Sequence, residues 1–327
     1  MTIPRSVSEI PSIPHRGLEA ATNIPCHAVI TPRQAATAGL TRDHLRGPGF
    51  QQVIRGVHAR FDHPDPQCLE TRARAFLATT HPTALIASVS ALLLMGVHVP
   101  GRLTRDGKIH VLVPNRGAHP VRDTVAVHWS QGIASVPKTA TRCGIPVCDP
   151  IEAWMQTATI ALHEELVQLG DQLVRYGDPL TTMPDLHRRV ARSARRRHIR
   201  ALRRALEDVR PDTQSLLETW LRFRALDAGL PEPLINQPIH DAAGIFIARP
   251  DLYWPALRLA GEYDGDYHGD PDQRLRDNER RRRLEAHGVT VIVATKADLT
   301  DPSRLIAALQ RARTRALRTP PSVKSHL

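Results

Sequence analysis

Two short runs of alternating apolar residues, joined at Pro255–Leu257, most constrain what the C-terminal part of this chain can fold into. Alternation with a period of two predicts two antiparallel strands with a tight connection between them. A turn centred on this connection places Asp251 opposite Glu262 and Arg249 opposite Asp264. Because side chains alternate along a strand, we expect these four charged side chains to share one face of the sheet.

Carboxylates that converge on one face repel one another unless a cation lies between them. Mg²⁺ and Mn²⁺ are the divalent ions that such oxygen ligands suit. The hairpin therefore predicts a metal site at Asp251 and Glu262, because two facing acids on inner strands are otherwise destabilising. Arg249 is the alternative partner for these carboxylates, and that pairing would make the cluster structural.

The residues after the hairpin complete an α/β arrangement. Gly265 permits a sharp end to the strand, and His268 is a residue type that transfers protons near neutral pH. A basic helix is expected over 272–288 with Gly288 at its C-terminus, followed by a buried strand over 289–295 and a last helix. The arginines of the basic helix predicted to bind nucleic acid are Arg274, Arg276, Arg280 and Arg281.

The chain carries a formal charge of +11 and a pI near 10.3, which favours a polyanionic partner, above all nucleic acid. Residues 1–180 hold 17 basic and 14 acidic side chains, while residues 181–327 hold 27 and 19, so the surplus lies mainly in the C-terminal half. Its densest part, between Arg188 and Arg204, has nine arginines and no acid, and predicts a helix or a helix pair. DNA is the expected partner, although phosphate attraction alone does not distinguish it from RNA.

Four cysteines without a CxxC pair or a histidine at zinc-finger spacing predict neither a structural zinc nor a disulfide framework. Together with an N-terminus that lacks a secretory apolar run, they favour a reducing cytoplasm. Residues 82–101 are uncharged over a length that could span a bilayer, but Pro100 and interspersed polar residues make a buried helix over 85–95 the better prediction. No membrane partner is expected, and the sequence does not indicate an oligomeric state.

Residues 31–61 follow the order of a winged helix-turn-helix. Two short helices with Thr31 and Thr41 as N-caps are predicted, followed by a strand pair over 50–61. In such a unit the second helix enters a DNA groove, although a small helical cap without DNA contact is an equally good interpretation. The residues of the second helix predicted to contact DNA are Arg42 and Arg46.

We expect an α/β (α+β) multi-domain protein in which the middle region alternates helices and strands and carries no catalytic constellation. The expected segments are a flexible N-terminus over 1–24, a winged helix-turn-helix-like region over 25–62, an α/β middle domain over 63–180, a basic helical linker over 181–211, an endonuclease-like domain over 212–318 and a flexible tail over 319–327.

The last hundred residues contain a set of motifs in a fixed order. These are Glu218 on a helix, Pro250 with Asp251, Glu262 with Asp264, His268, and the series Asp277, Arg280, Leu284 and Gly288. This order resembles the PD-(D/E)XK nuclease superfamily, and more closely the bacterial endonuclease-domain proteins related to very-short-patch mismatch-repair endonucleases. Upstream stretches such as GLTRDHLRG, RGVHARF and CDPIEAW are similar to actinobacterial proteins that join this domain to an AbiEi-antitoxin-like winged-helix region.

The resemblance implies a restriction-endonuclease-like mixed sheet flanked by helices, which hydrolyses DNA phosphodiesters with a metal-activated water. By position, Asp251 and Glu262 would be ligands of Mg²⁺ or Mn²⁺, and Glu218 would be a further ligand or hold a water. His268 would assist proton transfer, and Asp264, a further candidate catalytic residue, stands where the superfamily has a lysine. Structural support would come from Asp277, Gly265 and Gly288.

Two alternatives stay open. Glu218 follows Ser215 by three residues, so it fits a capping box equally well. Because Asp264 replaces the usual lysine, the domain also fits a degenerate nuclease that binds DNA without cutting it. Such a protein would be a non-catalytic, antitoxin-like transcriptional regulator that acts through residues 31–61.

Overall fold

The structure, a computed structural model, describes residues 24–25, 28–115, 117, 123–141, 143–264 and 271–318, with the side chains of the helix over 271–286 described from Glu279 onward. Helices and mixed sheets alternate along the chain, so the predicted α+β, multi-domain fold class is confirmed. The chain divides into two compact units. One consists of Met1–Gly96 and Thr104–Ala153, and the other consists of Val97–Leu103 and Trp154–Leu327.

The first unit begins with two short helices and a small sheet. The elements are β1 (Val29–Ile30), α1 (Pro32–Thr37), α2 (Arg42–Arg46), β2 (Phe50–Ile54) and β3 (Val57–Arg60). Thr31 and Thr41 are the N-caps of the two helices, as predicted, and each forms a capping box. Strands β2 and β3 form the predicted hairpin, and β1 adds to β3, so the sheet order is β1-β3-β2.

A five-stranded mixed sheet with two helices forms the rest of the first unit. These elements are α3 (Leu69–Leu77), β4 (Leu85–Ile86), α4 (Ser88–Leu94), β5 (Ile109–Val113), β6 (Val125–Trp129), β7 (Lys138–Ala140) and β8 (Pro146–Cys148). The strand order is β6-β5-β4-β8-β7. The helix predicted over 85–95 is wrong at its start, because Leu85–Ile86 form a strand that pairs with β5 on one side and β8 on the other. A strand that is buried on both faces does not alternate between apolar and polar residues. Its apolar residues therefore could not be distinguished in the sequence from those of the following helix.

The second unit opens with five helices, which are α5 (Pro150–Thr157), α6 (His163–Leu173), α7 (Met183–Arg192), α8 (Ile199–Asp208) and α9 (Leu216–Asp227). Helix α5 begins in the first unit and ends in the second. Within the second unit, α6 packs against both α8 and α9. The sequence predicted either one helix or a pair of helices for the arginine-rich segment, and the structure has the pair, α7 and α8.

A four-stranded mixed sheet follows. Its strands are β9 (Leu234–Ile235), β12 (Leu252–Trp254), β13 (Leu259–Tyr263) and β14 (Thr290–Ala294), and the helices around it are α9, α10 (Pro271–Ala286), α11 (Lys296–Thr300) and α12 (Ser303–Arg318). The strand order is β14-β13-β12-β9. Leu252, Trp254 and Leu259 pack with α9 and α12 on one face. Ala260 packs with Leu284 of α10 on the other face. The sheet is thus covered by helices on both sides.

The predicted hairpin register is confirmed in its inner part. Leu252 pairs with Gly261 and Trp254 pairs with Leu259, which is the register that a turn over Pro255–Leu257 requires. The next step of this register places Asp251 opposite Glu262.

The outer part of the hairpin differs from the prediction. Phe246–Ala248 (β11) leave the sheet and pair with Ile239–His240 (β10) in a separate two-stranded ribbon. Pro250 lacks a backbone N–H and restricts the residue before it, so the alternating run is broken between β11 and β12. Arg249 is consequently not opposite Asp264, and the prediction that all four charged residues share one face is wrong for this pair.

Within the described residues, no helix has both the length and the apolar character needed to cross a bilayer. The uncharged segment over 82–101 contains a two-residue strand and a seven-residue helix, and a short 3₁₀ helix begins at its last residue, Gly101.

Candidate functional site

Glu262 is the centre of the site and lies on β13, on the sheet face that α10 covers. Its neighbour Gly261 faces the opposite side, where a Cβ would meet Trp254 and Leu221. Because strand side chains alternate, Glu262 points toward α10, and only 2% of it is exposed. The sequence alternation thus aims an acid at the helix that carries Arg280 and Arg281.

The two carboxylate oxygens of Glu262 have different surroundings. Oε2 lies 3.2 Å from Arg280 Nη2 and 3.5 Å from Arg281 Nε. Oε1 is buried and has no hydrogen-bond partner. Burial raises the pKa of Glu262, and Arg280 and the nearby charge of Asp251 act on it in opposite directions, lowering and raising it. A buried acceptor without a partner is costly, so Oε1 marks a place where a donor or cation would be favourable.

Asp251 is held by the main chain on both sides. Its Oδ2 accepts a hydrogen bond of 2.9 Å from the N–H of Tyr263, the residue after Glu262. Its carbonyl oxygen accepts a 2.9 Å bond from the N–H of Asn236. Asp251 is half-buried, and its charge is close enough to raise the pKa of Glu262. The structure therefore brings together the two predicted metal ligands.

Asp264 and Arg249 take positions that the predicted register did not foresee. Asp264 is half-exposed and its Oδ2 accepts a 3.0 Å bond from Arg281 Nη2. Arg249 donates from Nε to the carbonyl of Asn236 at 2.7 Å and stacks over Tyr176. Hydrogen bonds between Arg249 and the carboxylates of Asp251 or Glu262 are absent from the described contacts. Arg280 and Arg281, predicted as phosphate ligands, thus provide the cations beside Glu262.

Glu218 lies on α9, on the other side of the sheet from Glu262, and is buried. Its N–H donates to the hydroxyl of Ser215, which is the N-cap of the helix. Its Oε2 accepts bonds from the N–H of Gln214 at 2.9 Å and from Asn236 Nδ2 at 2.6 Å. Burial raises the pKa of this carboxyl group. These contacts give Glu218 a helix-capping position that also fixes Asn236.

Asn236 is a site residue that the sequence analysis missed. It has a left-handed backbone with φ of 51°, which asparagine tolerates better than most residues. Its amide Nδ2 donates to Glu218 and to the carbonyl of Asp212, while its N–H donates to the carbonyl of Asp251. The only sequence signal was an Asn between two short apolar runs, which is typical of a turn.

The remaining predicted residues lie outside this cluster or outside the described part. Gly265 and His268 are outside the described residues, and Arg274, Arg276 and Asp277 lie within α10 before its side chains are described. Gly288 follows α10 with φ of 74°, as predicted for a glycine after a helix. Arg42 and Arg46 are exposed on α2 in the first unit.

A hard divalent cation fits this arrangement. Within the part of the chain that the structure describes, no three His, Cys, Asp or Glu side chains converge as a metal-binding group. Mg²⁺, however, is commonly held by one or two carboxylates, with water and substrate phosphate completing its coordination. The unpartnered Oε1 of Glu262 beside Asp251 is the oxygen that such a two-carboxylate site requires.

Two uncharacterized proteins of Mycobacterium tuberculosis are similar to this chain, MT2308 of strain CDC 1551 / Oshkosh and Rv2248 of strain ATCC 25618 / H37Rv. Each is 34% identical over 134 residues, which is 40% of this chain and 49% of the relative. The chain therefore spans about half the length of the curated relatives it matches. No protein-family model and no solved structure matches this chain.

Proposed function

We propose that this protein is a metal-dependent DNA endonuclease whose metal is held by Asp251 and Glu262. The observation that carries the proposal is the buried Oε1 of Glu262, which lacks a hydrogen-bond partner beside a second carboxylate. A purely structural ion pair would be expected to satisfy both oxygens, because an unsatisfied buried acceptor costs about 1–3 kcal/mol. The positive charge of the chain supplies the attraction for a phosphate backbone.

The residues of the site divide into those that hold the cation and those that hold the carboxylates. Asp251 and Glu262 would be the metal ligands, and Mg²⁺ or Mn²⁺ at this position would supply Lewis-acid activation of a water and of the scissile phosphate. Arg280 and Arg281 keep the Glu262 carboxylate oriented through Oε2, so that Oε1 remains available. Asn236 fixes the main chain of Asp251 and is itself fixed by Glu218.

Arg280 and Arg281 also suit binding of the scissile phosphate. Their side chains are 36% and 25% exposed, so each side chain is partly accessible to solvent while it contacts Glu262. A guanidinium has five N–H donors, enough to serve a carboxylate and a phosphate together.

The proposal is tested by cleavage of a supercoiled plasmid in Mg²⁺ or Mn²⁺, with chelator as the blank. We expect nicking by the full-length protein and a loss on the order of 100-fold or more in Glu262→Gln and in Asp251→Asn. Glu285→Gln, which changes an exposed acid on α10, is the matched control and should retain full activity. Equal cleavage by Glu262→Gln and wild type would rule out the assigned site.

A second candidate function, a non-catalytic DNA-binding regulator, is favoured by the first unit. The predicted order of helix, turn, helix and hairpin is present there, and Arg42 and Arg46 are exposed on the second helix. If the protein is such a regulator, the double variant Arg42→Gln, Arg46→Gln abolishes sequence-specific duplex binding. The double variant Asp251→Asn, Glu262→Gln leaves this binding unchanged. Electrophoretic mobility shifts in chelator separate the two functions, because chelator prevents cleavage.

A further inference from the structure

We propose that helices α7 and α8, with the turn between them, form a second DNA-contacting surface, which binds the phosphate backbone of the duplex that the candidate site acts on. This surface, named the arginine face, consists of Arg192, Arg195, Arg197, Arg200, Arg203 and Arg204, all exposed. The inference rests on the proposed function for the identity of the polyanion as DNA.

The arginine face is outward because the opposite sides of both helices are buried. Leu186 and Val190 are the buried residues of α7, and Leu202 and Leu206 are buried on α8. Helix α8 packs against α6 through this apolar side. Four of the arginines thus project from packed helices, and Arg195 and Arg197 lie in the short turn that joins them, which lowers the ordering cost of binding.

The charges of this surface are only partly offset by neighbouring acids, because Glu207, one turn beyond Arg203 and Arg204 on α8, is the exposed acid nearest to them along the helix. The six arginines have no acidic partner among the described residues, and the sequence from Leu186 to Leu206 contains no acid. Asp185, at the start of α7, pairs with Arg188, 2.7 Å away. Residues 200, 203 and 204 are three and four positions apart on α8, where like charges destabilise a helix by a few tenths of a kcal/mol per pair. A polyanion removes this repulsion.

The composition of the surface favours a nucleic acid over a membrane. A helix that lies on a membrane presents Trp, Phe or Leu next to its basic residues, so that apolar side chains enter the lipid. The exposed positions between residues 191 and 204 are instead arginine, alanine and histidine. Regularly spaced phosphates are the polyanion that such a purely basic face fits.

The arginine face is connected to the candidate metal site through a short series of contacts in the same unit. Four residues beyond the end of α8, the carbonyl of Asp212 accepts a 2.9 Å bond from Asn236 Nδ2. Asn236 in turn donates its N–H to the carbonyl of Asp251. The chain that follows α8 is therefore linked through Asn236 to Asp251, a proposed metal ligand. DNA bound on α8 would be held in a fixed position relative to that ligand.

The test is the salt dependence of duplex binding by the full-length protein, measured by fluorescence anisotropy in chelator with a labelled 24-bp duplex. The variant is Arg200→Gln, Arg203→Gln and Arg204→Gln together. The matched control is Arg311→Gln, Arg315→Gln and Arg318→Gln, three exposed arginines of α12. Circular dichroism of both variants confirms that the helices are intact.

We expect the α8 variant to bind at least about tenfold more weakly at 100 mM salt. Its slope of log affinity against log salt should fall by up to about 2.7, since each lost phosphate contact removes about 0.9. The α12 control should keep the wild-type slope. Equal slopes for wild type and the α8 variant, or equal losses in both variants, would overturn the inference. So would tighter binding of the wild type to single-stranded RNA or to phosphatidylserine vesicles than to the duplex.

Plasmid cleavage by the wild type, measured in parallel, separates this inference from the proposed function. A changed slope without any cleavage supports the arginine face and removes the endonuclease assignment. Cleavage with an unchanged slope supports the endonuclease assignment and removes the arginine face.

Discussion

Glu262 has a salt bridge at one oxygen and an unpartnered, buried oxygen at the other. The arginines at Oε2 stabilise the ionised carboxylate, while burial and Asp251 oppose ionisation and leave its pKa raised. A cation at Oε1 would lower that pKa and relieve the repulsion from Asp251. Glu262 therefore destabilises the protein without a bound cation, and the same unpartnered oxygen suits it to bind a divalent ion.

Asp171 leads to a prediction about pH and stability. It is fully buried on α6, accepts bonds of 2.7 Å from the N–H of Arg210 and from the Thr219 hydroxyl, and burial raises its pKa to about 7. Between about pH 4 and 7 the native carboxyl holds a proton that the unfolded chain has lost. The free energy of unfolding should therefore fall as pH rises through this window, with a slope approaching about 1.4 kcal/mol per pH unit.

Asp171→Asn should flatten this slope, because an amide can accept from Arg210 and donate to Thr219 without titrating. Urea unfolding of both proteins at several pH values between 4 and 7 measures it. The exposed Asp178→Asn is the control and should leave the slope unchanged. A steep slope that survives in Asp171→Asn would contradict the assignment.

Gly170 of α6 shows how closely the helices of the second unit pack. A Cβ at this position would lie 2.5 Å from Val209 Cγ2, which is closer than real contacts allow. Gly170→Ala should therefore destabilise the protein by about 1–2 kcal/mol, the overpacking cost less the helix-propensity gain of alanine. The measurement is chemical denaturation.

The double variant Gly170→Ala with Val209→Ala is the informative control for this packing. Its loss in the free energy of unfolding should be smaller by about 1 kcal/mol than the sum of the losses in the two single variants, because the clash is removed. Gly132→Ala, whose Cβ would meet only Ser130 Oγ at 3.9 Å, should have little effect. Simple additivity of the two single variants would show that these residues do not clash.

The elements with a strong period or a clear cap could be predicted from the sequence. Residues 252–261 carry the register that the turn at Pro255 requires, and Thr31 and Thr41 cap their helices as expected. The short strands β4 and β7–β10 were missed, because two or three residues cannot display a period. Their positions depend on long-range pairing, which local sequence does not encode.

The part of the candidate site that could be predicted from the sequence is the proximity of its two acids, which the hairpin register determines. Asp251 and Glu262 come together because the strand register places them opposite each other. The contacts of Arg249, Asn236 and Arg281 could not be predicted, since they depend on where the chain leaves the sheet after Pro250 and on how α10 crosses it.

The distribution of charge over the whole chain links the candidate site to its expected substrate. The +11 surplus lies mainly after residue 180, and the second unit contains both the arginine face and the acids at Asp251 and Glu262. Acids within a basic unit weaken simple phosphate binding, and the proposed metal site would account for their presence there, because a cation held by them would act on the bound phosphate.

Calorimetric titration of Mn²⁺ into the full-length protein tests most directly whether Asp251 and Glu262 bind a divalent cation. Wild type and the exposed-acid control Glu285→Gln should bind one ion with the same affinity, and Glu262→Gln should bind at least about tenfold more weakly. Unchanged Mn²⁺ affinity in Glu262→Gln, or no binding by the wild type at millimolar Mn²⁺, would contradict a metal site at these residues.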